Sequence, residues 1–147
     1  MSLPKIILVP TDFSVASEAA LDQALALAAK LGARVYVMHA YQLPVVGFPA
    51  GVLVPSAEIA TRLVTWAEGE LASCVARRRA SGVEILSILK QADPRDAVLA
   101  VAEEVAADLV IMGTHGRRGL ARALIGSVAE SVVRASPIPV MTVHAAT

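Results

Sequence analysis

The sequence predicts an α/β protein with a single doubly wound, five-stranded parallel sheet in a three-layer α/β/α arrangement. Short apolar runs rich in Val and Ile alternate along the chain with amphipathic segments of helical period, a pattern typical of βαβ units. The runs at residues 6–9, 35–38 and 109–112 are apolar at every position, as strands buried on both faces are. With 147 residues, 56% of them hydrophobic, the chain has the size and composition of one domain, predicted over residues 1–147.

Boundary residues mark the first three elements. Residues 6–9, Ile-Ile-Leu-Val, form the first predicted strand. Ser14 is a suitable N-cap for the first helix, and Gly32 ends that helix. Residues 35–38, Val-Tyr-Val-Met, then predict a second buried strand.

A charge-free segment, residues 41–57, follows the second strand. Prolines and glycines interrupt it, and it is shorter than the roughly 20 apolar residues that a membrane helix needs. We therefore expect an irregular loop between Leu43 and Pro55. Ser56 then caps a second helix, which ends at the three consecutive arginines 77–79. Cations at a helix C-terminus face the negative end of its dipole, so these arginines predict a solvated helix end.

The second half of the chain continues the alternation. Asp93 is an N-cap followed by Pro94 at the first helical position, where proline is favoured. Ser127 opens the last helix after a glycine-rich segment. The three remaining predicted strands span residues 83–89, 109–112 and 137–143.

Composition excludes several classes of protein. The formal net charge is zero and aromatic residues make up 3%, which argues against nucleic acid as a partner. No apolar run is long enough to cross a membrane, so no membrane partner is expected. One cysteine, Cys74, forms neither an internal disulfide nor a Cys-rich zinc site. The first apolar run is too short for a signal-peptide core, which predicts a cytoplasmic location.

Ligands of open parallel sheets bind outside the carboxyl ends of the strands. We therefore expect the ligand-binding residues where the first and fourth strands end. Pro10, Thr11 and Asp12 follow the first strand. The glycines after the fourth strand allow close backbone approach, and their N–H groups suit an anion. A flexible loop with Ser127 as a plain N-cap is the alternative. The predicted phosphate loop contains Gly113, His115, Gly116, Arg117, Gly119, Gly126 and Ser127.

Two common nucleotide fingerprints, G-x-x-x-x-G-K-[ST] and G-x-G-x-x-G, are absent from the sequence. Instead, Gly113-x2-Gly116-x9-Gly126-Ser127 resembles the G-2x-G-9x-G-[ST] motif of the universal stress protein family. Residues 7–14, 107–117 and 139–143 resemble other blocks of that family. The resemblance covers essentially the whole chain.

The resemblance implies a Rossmann-like sheet of strand order 3-2-1-4-5 and a homodimer formed through strand 5, from Pro139 to Val143. Because the glycine motif is intact, the chain is similar to the family's ATP-binding branch. ADP and AMP are alternative ligands, and Mg²⁺ is expected to bridge the phosphates. By position, the adenosine would lie against Pro10, Thr11 and Asp12, the adenine near His39 and Ala40, the ribose and α-phosphate near Met112 and Gly113, and the phosphates against Gly116, Gly126, Ser127 and Val128.

The sequence offers no convincing catalytic base. Phosphoryl transfer needs a residue that orients the nucleophile, and Asp12 would serve only if it reached the γ-phosphate. We therefore predict a nucleotide-binding regulatory module of a stress response with little or no ATP turnover. A nucleotide-independent dimeric interaction protein and a slow ATPase are the alternatives, and the protein partners stay unidentified.

Four further side chains carry weaker signals. His39 and Cys74 are expected to be a hydrogen-bonded neutral histidine and a small buried side chain. Trp66 is expected in the core or in dimer packing, and His144 in solvent.

Overall fold

The computed structural model describes residues 2–115 and 125–145. Its strands and helices alternate along the chain as the apolar pattern predicts. In chain order they are β1 (Ile6–Pro10), α1 (Val15–Leu31), β2 (Arg34–Tyr41), β3 (Val46–Phe48), β4 (Gly51–Leu53), α2 (Ala57–Ala76), a short 3₁₀ helix (Arg79–Ser81), β5 (Ile85–Gln91), α3 (Pro94–Glu104), β6 (Leu109–Gly113), α4 (Ser127–Ala135) and β7 (Val140–Val143).

The main sheet has the order β5-β2-β1-β6-β7, and all its neighbours are parallel. This order confirms the predicted 3-2-1-4-5 arrangement. The chain leaves β1 towards β2 and β5 on one side and later returns to β6 and β7 on the other. The strand order thus reverses between β1 and β6, which is where open parallel sheets form a crevice.

Both faces of the sheet are covered by helices. Ile7 and Val9 of β1 face a core that includes α1 and α2, whereas Leu8 faces a core that includes α3 and α4. All three side chains are 0% exposed. The three-layer α/β/α architecture is therefore confirmed. None of the helices in the described ranges has both the length and the hydropathy of a membrane-spanning segment.

The predicted helix boundaries are largely correct. Ser14, Ser56 and Asp93 are N-caps whose side chains accept backbone N–H bonds, and Gly32 ends α1 in the left-handed conformation. Hydrogen bonds from Arg95 hold the pKa of Asp93 at about 2. Helix α4 does begin at Ser127, but its N-cap is Gly126, so the alternative of Ser127 as a plain N-cap is wrong.

The structure corrects three predicted segments. The segment 43–55, expected to be irregular, contains the antiparallel hairpin of β3 and β4, because short apolar runs flank a turn at residues 49–50. Predicted strand 83–89 lies two residues later, as β5. β7 begins at Val140 rather than at residue 137, since Pro137 and Pro139 have no N–H for strand pairing.

The solvated helix end is confirmed for Arg77 and Arg79, which are exposed, but not for Arg78. Its side chain is 11% exposed and forms ion pairs with Glu18 and Asp22 of α1. Burial alone would lower the pKa of its guanidinium, but the hydrogen bonds that it donates to both carboxylates raise this pKa above its usual value. Cys74 is fully buried beside this group, as expected, and burial raises the pKa of its thiol to about 11. Arg78 thus links the chain just after α2 to α1 through these ion pairs.

Gly113 brings the end of β6 against the first turn of α1. A Cβ at this position would lie 2.7 Å from the carbonyl carbon of Ala16 and 2.9 Å from its Cβ. Backbone therefore packs on backbone here, and only glycine fits. This packing role is additional to the ligand contact that the glycine motif predicts.

Replacing Gly113 with alanine is expected to lower the free energy of unfolding by about 1–3 kcal/mol, because the added methyl group overlaps Ala16. Chemical denaturation measures this change. Gly69→Ala is the matched control: Gly69 lies in α2 with no atom within 4 Å of an added Cβ, so alanine should be neutral or stabilising by up to about 1 kcal/mol. Equal unfolding of Gly113→Ala and wild type would contradict the close packing.

Replacing Arg78 with alanine is expected to lower the free energy of unfolding by about 2 kcal/mol, because Glu18 and Asp22 lose a charged donor. Arg79→Ala is the control, since Arg79 is exposed and should change stability by less than about 0.5 kcal/mol. Thermal melting of the two variants compares them directly. Equal melting temperatures would show that the ion pairs contribute nothing.

Candidate functional site

A pocket of about 550 Å³ opens at the carboxyl edge of the sheet. The exits of β1, β2 and β6 and the first turns of α3 and α4 form its wall. Every predicted site residue in the described ranges lines it: Pro10, Thr11, Asp12, Ala40, Met112, Gly113, His115, Gly126, Ser127 and Val128. The predicted residues Gly116, Arg117 and Gly119 lie outside the described residues.

Thr11 organises the turn that follows β1. Its hydroxyl donates to Ser17 Oγ at 3.0 Å and accepts the N–H of Phe13, also at 3.0 Å. The next residue, Asp12, accepts the N–H of Ser14 at 3.0 Å. Phe13 itself has a φ of 64°, an unusual value for a non-glycine residue. Side-chain hydrogen bonds therefore hold this turn, and with it the Asp12 carboxylate in the pocket wall.

His39 lies at the end of β2 and lines the same pocket. Its Nδ1 is 2.8 Å from the carbonyl oxygen of Thr11. A carbonyl oxygen only accepts hydrogen bonds, so Nδ1 carries the proton. The expectation of a hydrogen-bonded histidine is confirmed, and the bond joins the exits of β1 and β2.

An aromatic cluster stands behind this wall. The ring centroids of Phe13 and His39 are 4.6 Å apart, and those of Phe13 and Trp66 are 5.6 Å apart in an edge-to-face arrangement. Trp66 is 42% exposed, so of the two expected positions the core is wrong, and dimer packing stays a prediction. Trp66 covers Phe13 from the side of α2.

The first turn of α4 forms the opposite side of the pocket. Gly126, the N-cap, has extended backbone angles and no capping side chain, and its N–H donates to the carbonyl oxygen of Thr114. Ser127 and Val128 follow in the pocket wall. A helix N-terminus of this kind presents backbone N–H groups and a positive dipole end, which suit a phosphate.

Thr114 connects the ends of β6 and β7. It is 0% exposed, and its Oγ1 lies 3.0 Å from Nδ1 of both His115 and His144. The hydroxyl has one proton and the carbonyl oxygen of Val143 is a third neighbour at 3.5 Å, so at least one of the two rings must donate its own Nδ1–H. His144, expected in solvent, is exposed but also bonded to the pocket wall through Thr114.

Part of the pocket wall was not predicted from the sequence. Pro94 and Val98 belong to α3, and folding brings the N-terminal part of this helix to the pocket at the edge of the sheet. The sequence could have indicated them, because they follow the carboxyl end of β5 and every strand end at this edge of the sheet is a candidate for ligand contact. The lining residues that were missed are Ser17, Met38, Pro94, Val98, Thr114 and Ala129. No group of three or more His, Cys, Asp or Glu side chains within residues 2–115 and 125–145 could hold a metal ion.

Comparison with known proteins decides the family. The chain matches the family model of the Universal stress protein family over residues 4–144. The chain belongs to the universal stress protein family. Universal stress protein MJ0531 of Methanocaldococcus jannaschii is 36% identical over 145 residues, covering 97% of this chain and 83% of that protein.

Solved structures of family members share the fold. MJ0577 of M. jannaschii superposes with a TM-score of 0.80 at 25% identity, covering 97% of each chain. A universal stress protein in complex with cAMP has a TM-score of 0.73 at 29% identity, over 99% of this chain and 100% of that one. The Archaeoglobus fulgidus protein in complex with dAMP has a TM-score of 0.67 at 26% identity, over 97% and 99%.

The hydrogen bond between His39 and Thr11 makes a testable prediction about the imidazole. In the neutral ring the proton should reside on Nδ1, with Nε2 unprotonated, because Thr11 offers only an acceptor. A long-range ¹H–¹⁵N correlation spectrum identifies this tautomer, and the His39→Asn variant assigns its signals. A proton on Nε2 alone would contradict the bond.

Proposed function

We propose that this universal stress protein binds an adenine nucleotide in the pocket at the carboxyl edge of its sheet. One observation carries the proposal: the pocket joins a helix N-terminus, at Gly126 and Ser127, to a mainly apolar wall at the exits of β1 and β2. The first feature suits phosphate and the second suits a base. Family members of the same fold, at 29% and 26% identity, are solved in complex with cAMP and dAMP.

The orientation of the nucleotide follows from the strand order. β2 and β6 flank β1 on opposite sides, so their exits lie roughly 10 Å apart at the usual strand spacing. We place the base on the β2 side, near His39 and Ala40, and the phosphates on the side of α4. Met112 and Gly113 lie between, near the ribose and α-phosphate. Gly116, Arg117 and Gly119 complete the proposed phosphate site.

ATP is the proposed ligand, since the complete glycine motif provides for a phosphate chain. ADP and AMP, which need fewer phosphate contacts, are the alternatives. Mg²⁺ would be held by phosphate oxygens and water, as is usual for this ion, because the described residues provide no cluster of protein ligands.

We propose that the bound nucleotide is turned over slowly or not at all. Asp12 belongs to the exit of β1, where it accepts the N–H of Ser14, and the proposed pose places it by the adenosine. Binding without efficient hydrolysis fits a regulatory module of a stress response. We also propose a cytoplasmic location.

The homodimer through strand 5 is part of the proposal. Among the strands of the described residues, β7 is an edge strand that pairs on one side only, with β6, and Met141 is 43% exposed. An exposed edge can pair with a second copy of the chain. The dimer would use residues 139–143.

A nucleotide-independent interaction protein is the second candidate function. One observation favours it: the hairpin of β3 and β4 exposes Phe48 to 55%, Val52 to 66% and Leu53 to 60%. Clustered exposed apolar side chains are typical of a contact surface. Direct measurement of nucleotide binding separates the two candidates.

The proposed function is tested by calorimetric titration with ATP, ADP and AMP, and by mass spectrometry of any ligand released from freshly purified protein. Gly126→Val is expected to weaken ATP binding at least about tenfold, because its side chain would enter the phosphate site. Gly47→Val is the control, since Gly47 lies in the hairpin with open space around it.

Unchanged ATP affinity in Gly126→Val, at an unchanged melting temperature, would overturn the proposed phosphate site. Absence of both bound ligand and calorimetric signal in the wild type would instead favour the interaction protein.

A further inference from the structure

The segment 42–66, which follows β2, holds most of the apolar surface that the described fold leaves uncovered. It comprises the hairpin of β3 and β4 and the first half of α2, and none of its residues is buried. Eight of the 13 large hydrophobic side chains that are exposed in the described residues belong to it. The hairpin contributes Val45, Val46, Phe48, Val52, Leu53 and Val54, and α2 contributes Ile59 and Trp66.

The hairpin has little support from the rest of the described chain. Its two strands have three residues each, and every residue from Val45 to Val54 is exposed. Among the described strands β3 pairs only with β4, and no other helix or strand described has extensive contact with either. An isolated two-stranded hairpin is marginally stable at best in water. A partner that covers the hairpin would therefore stabilise it.

Both faces of the hairpin are apolar. Val46 pairs with Leu53, and Phe48 pairs with Gly51, so these side chains share one face because directly opposite residues do. Val52 lies on the other face, since successive residues of a strand alternate. A hairpin with one face in solvent usually has polar residues on that face. The hairpin thus has the composition of a buried element at an exposed position.

The size of this surface matches one side of a stable interface. The eight side chains are between 42% and 66% exposed. At roughly 90 Å² for each half-exposed side chain of this size, they present about 700 Å² of apolar surface. The largest apolar patch on a typical monomer is roughly 300–600 Å², whereas each partner of a standard stable complex buries about 800 Å².

The composition of the surface favours a second copy of the chain over a different protein. Residues 41–57 include no charged side chain, so the hairpin lacks the charges by which different partners are commonly distinguished. Strongly apolar interfaces are typical of permanent homodimers, whereas transient complexes use surfaces about as polar as the rest of a protein. The formal net charge of the chain is zero, so no net repulsion opposes the contact of two copies.

We propose that the hairpin of β3 and β4 is a self-association surface, through which two copies of the chain meet about a two-fold axis. Each hairpin then covers the apolar side chains of the other, because the same patch is used on both sides of such a contact. The proposed contact through residues 139–143 is separate from it, since β1 and β6 lie between β2, which leads to the hairpin, and β7. One chain can therefore use both contacts, and together they would give a tetramer.

The mass of the protein in solution tests this inference, measured by light scattering after size-exclusion chromatography. Leu53→Asp is expected to halve the wild-type mass, because a two-fold contact contains the substitution twice and would bury two unpaired carboxylates. The dissociation constant should rise at least about 100-fold. Leu3→Asp is the matched control: Leu3 is 64% exposed, against 60% for Leu53, and lies outside the hairpin. This control should keep the wild-type mass.

Met141→Asp separates the hairpin contact from the proposed contact through β7. This variant should remain a dimer that the hairpin holds together, and combining it with Leu53→Asp should give a monomer. A monomer for Met141→Asp alone would assign all association to β7 and would overturn the inference.

Two further results would also overturn it. One is a monomeric wild type, and the other is an unchanged mass for Leu53→Asp, which would leave the hairpin available to a different protein. Equal loss of mass in Leu3→Asp would show that the association is unspecific, with the same consequence. Phe48→Ser, on the other strand, repeats the test if Leu53→Asp does not fold. None of these outcomes bears on nucleotide binding, because no residue of the hairpin lines the pocket.

Discussion

Burial of β1 on both faces is the constraint on which the rest of the structure depends. Ile7, Leu8 and Val9 are inaccessible to water, so the strand must have helices on both sides and a paired neighbour along each edge. Parallel neighbours bring all their carboxyl ends to one edge of the sheet. The reversal of strand order beside β1 then leaves a crevice at that edge. The pocket is thus a consequence of how the core is closed.

The polar groups at this edge meet a second requirement, because the backbone that leaves a buried strand must still satisfy its hydrogen bonds. The Thr11 hydroxyl and carbonyl do so by bonding to Ser17, Phe13 and His39. The same bonds fix the orientation of side chains that line the pocket. Stability and pre-organisation of the site therefore come from one set of contacts.

The sequence predicted what depends on local pattern. Apolar runs located the strands of the main sheet, and Ser14 and Asp93 marked helix starts, because a cap acts within three residues. Contacts between distant segments left no local signal: Arg78 meets Glu18 across 60 residues, and His39 meets Thr11 across 28. The hairpin was missed because its strands have only three residues each. The glycine motif predicted a ligand contact for Gly113 but could not indicate Ala16.

The contact between Gly113 and Ala16 has a mechanical consequence. Two backbones that touch directly have no rotamers between them to absorb a displacement. The end of β6 and the start of α1 must therefore shift together, and the exit of β1 is bonded to the same helix turn through Ser17. The exits of β1 and β6 are thus mechanically coupled through the first turn of α1. The contact between Gly113 and Ala16 therefore keeps the spacing between the exits of β1 and β6 constant when the first turn of α1 moves.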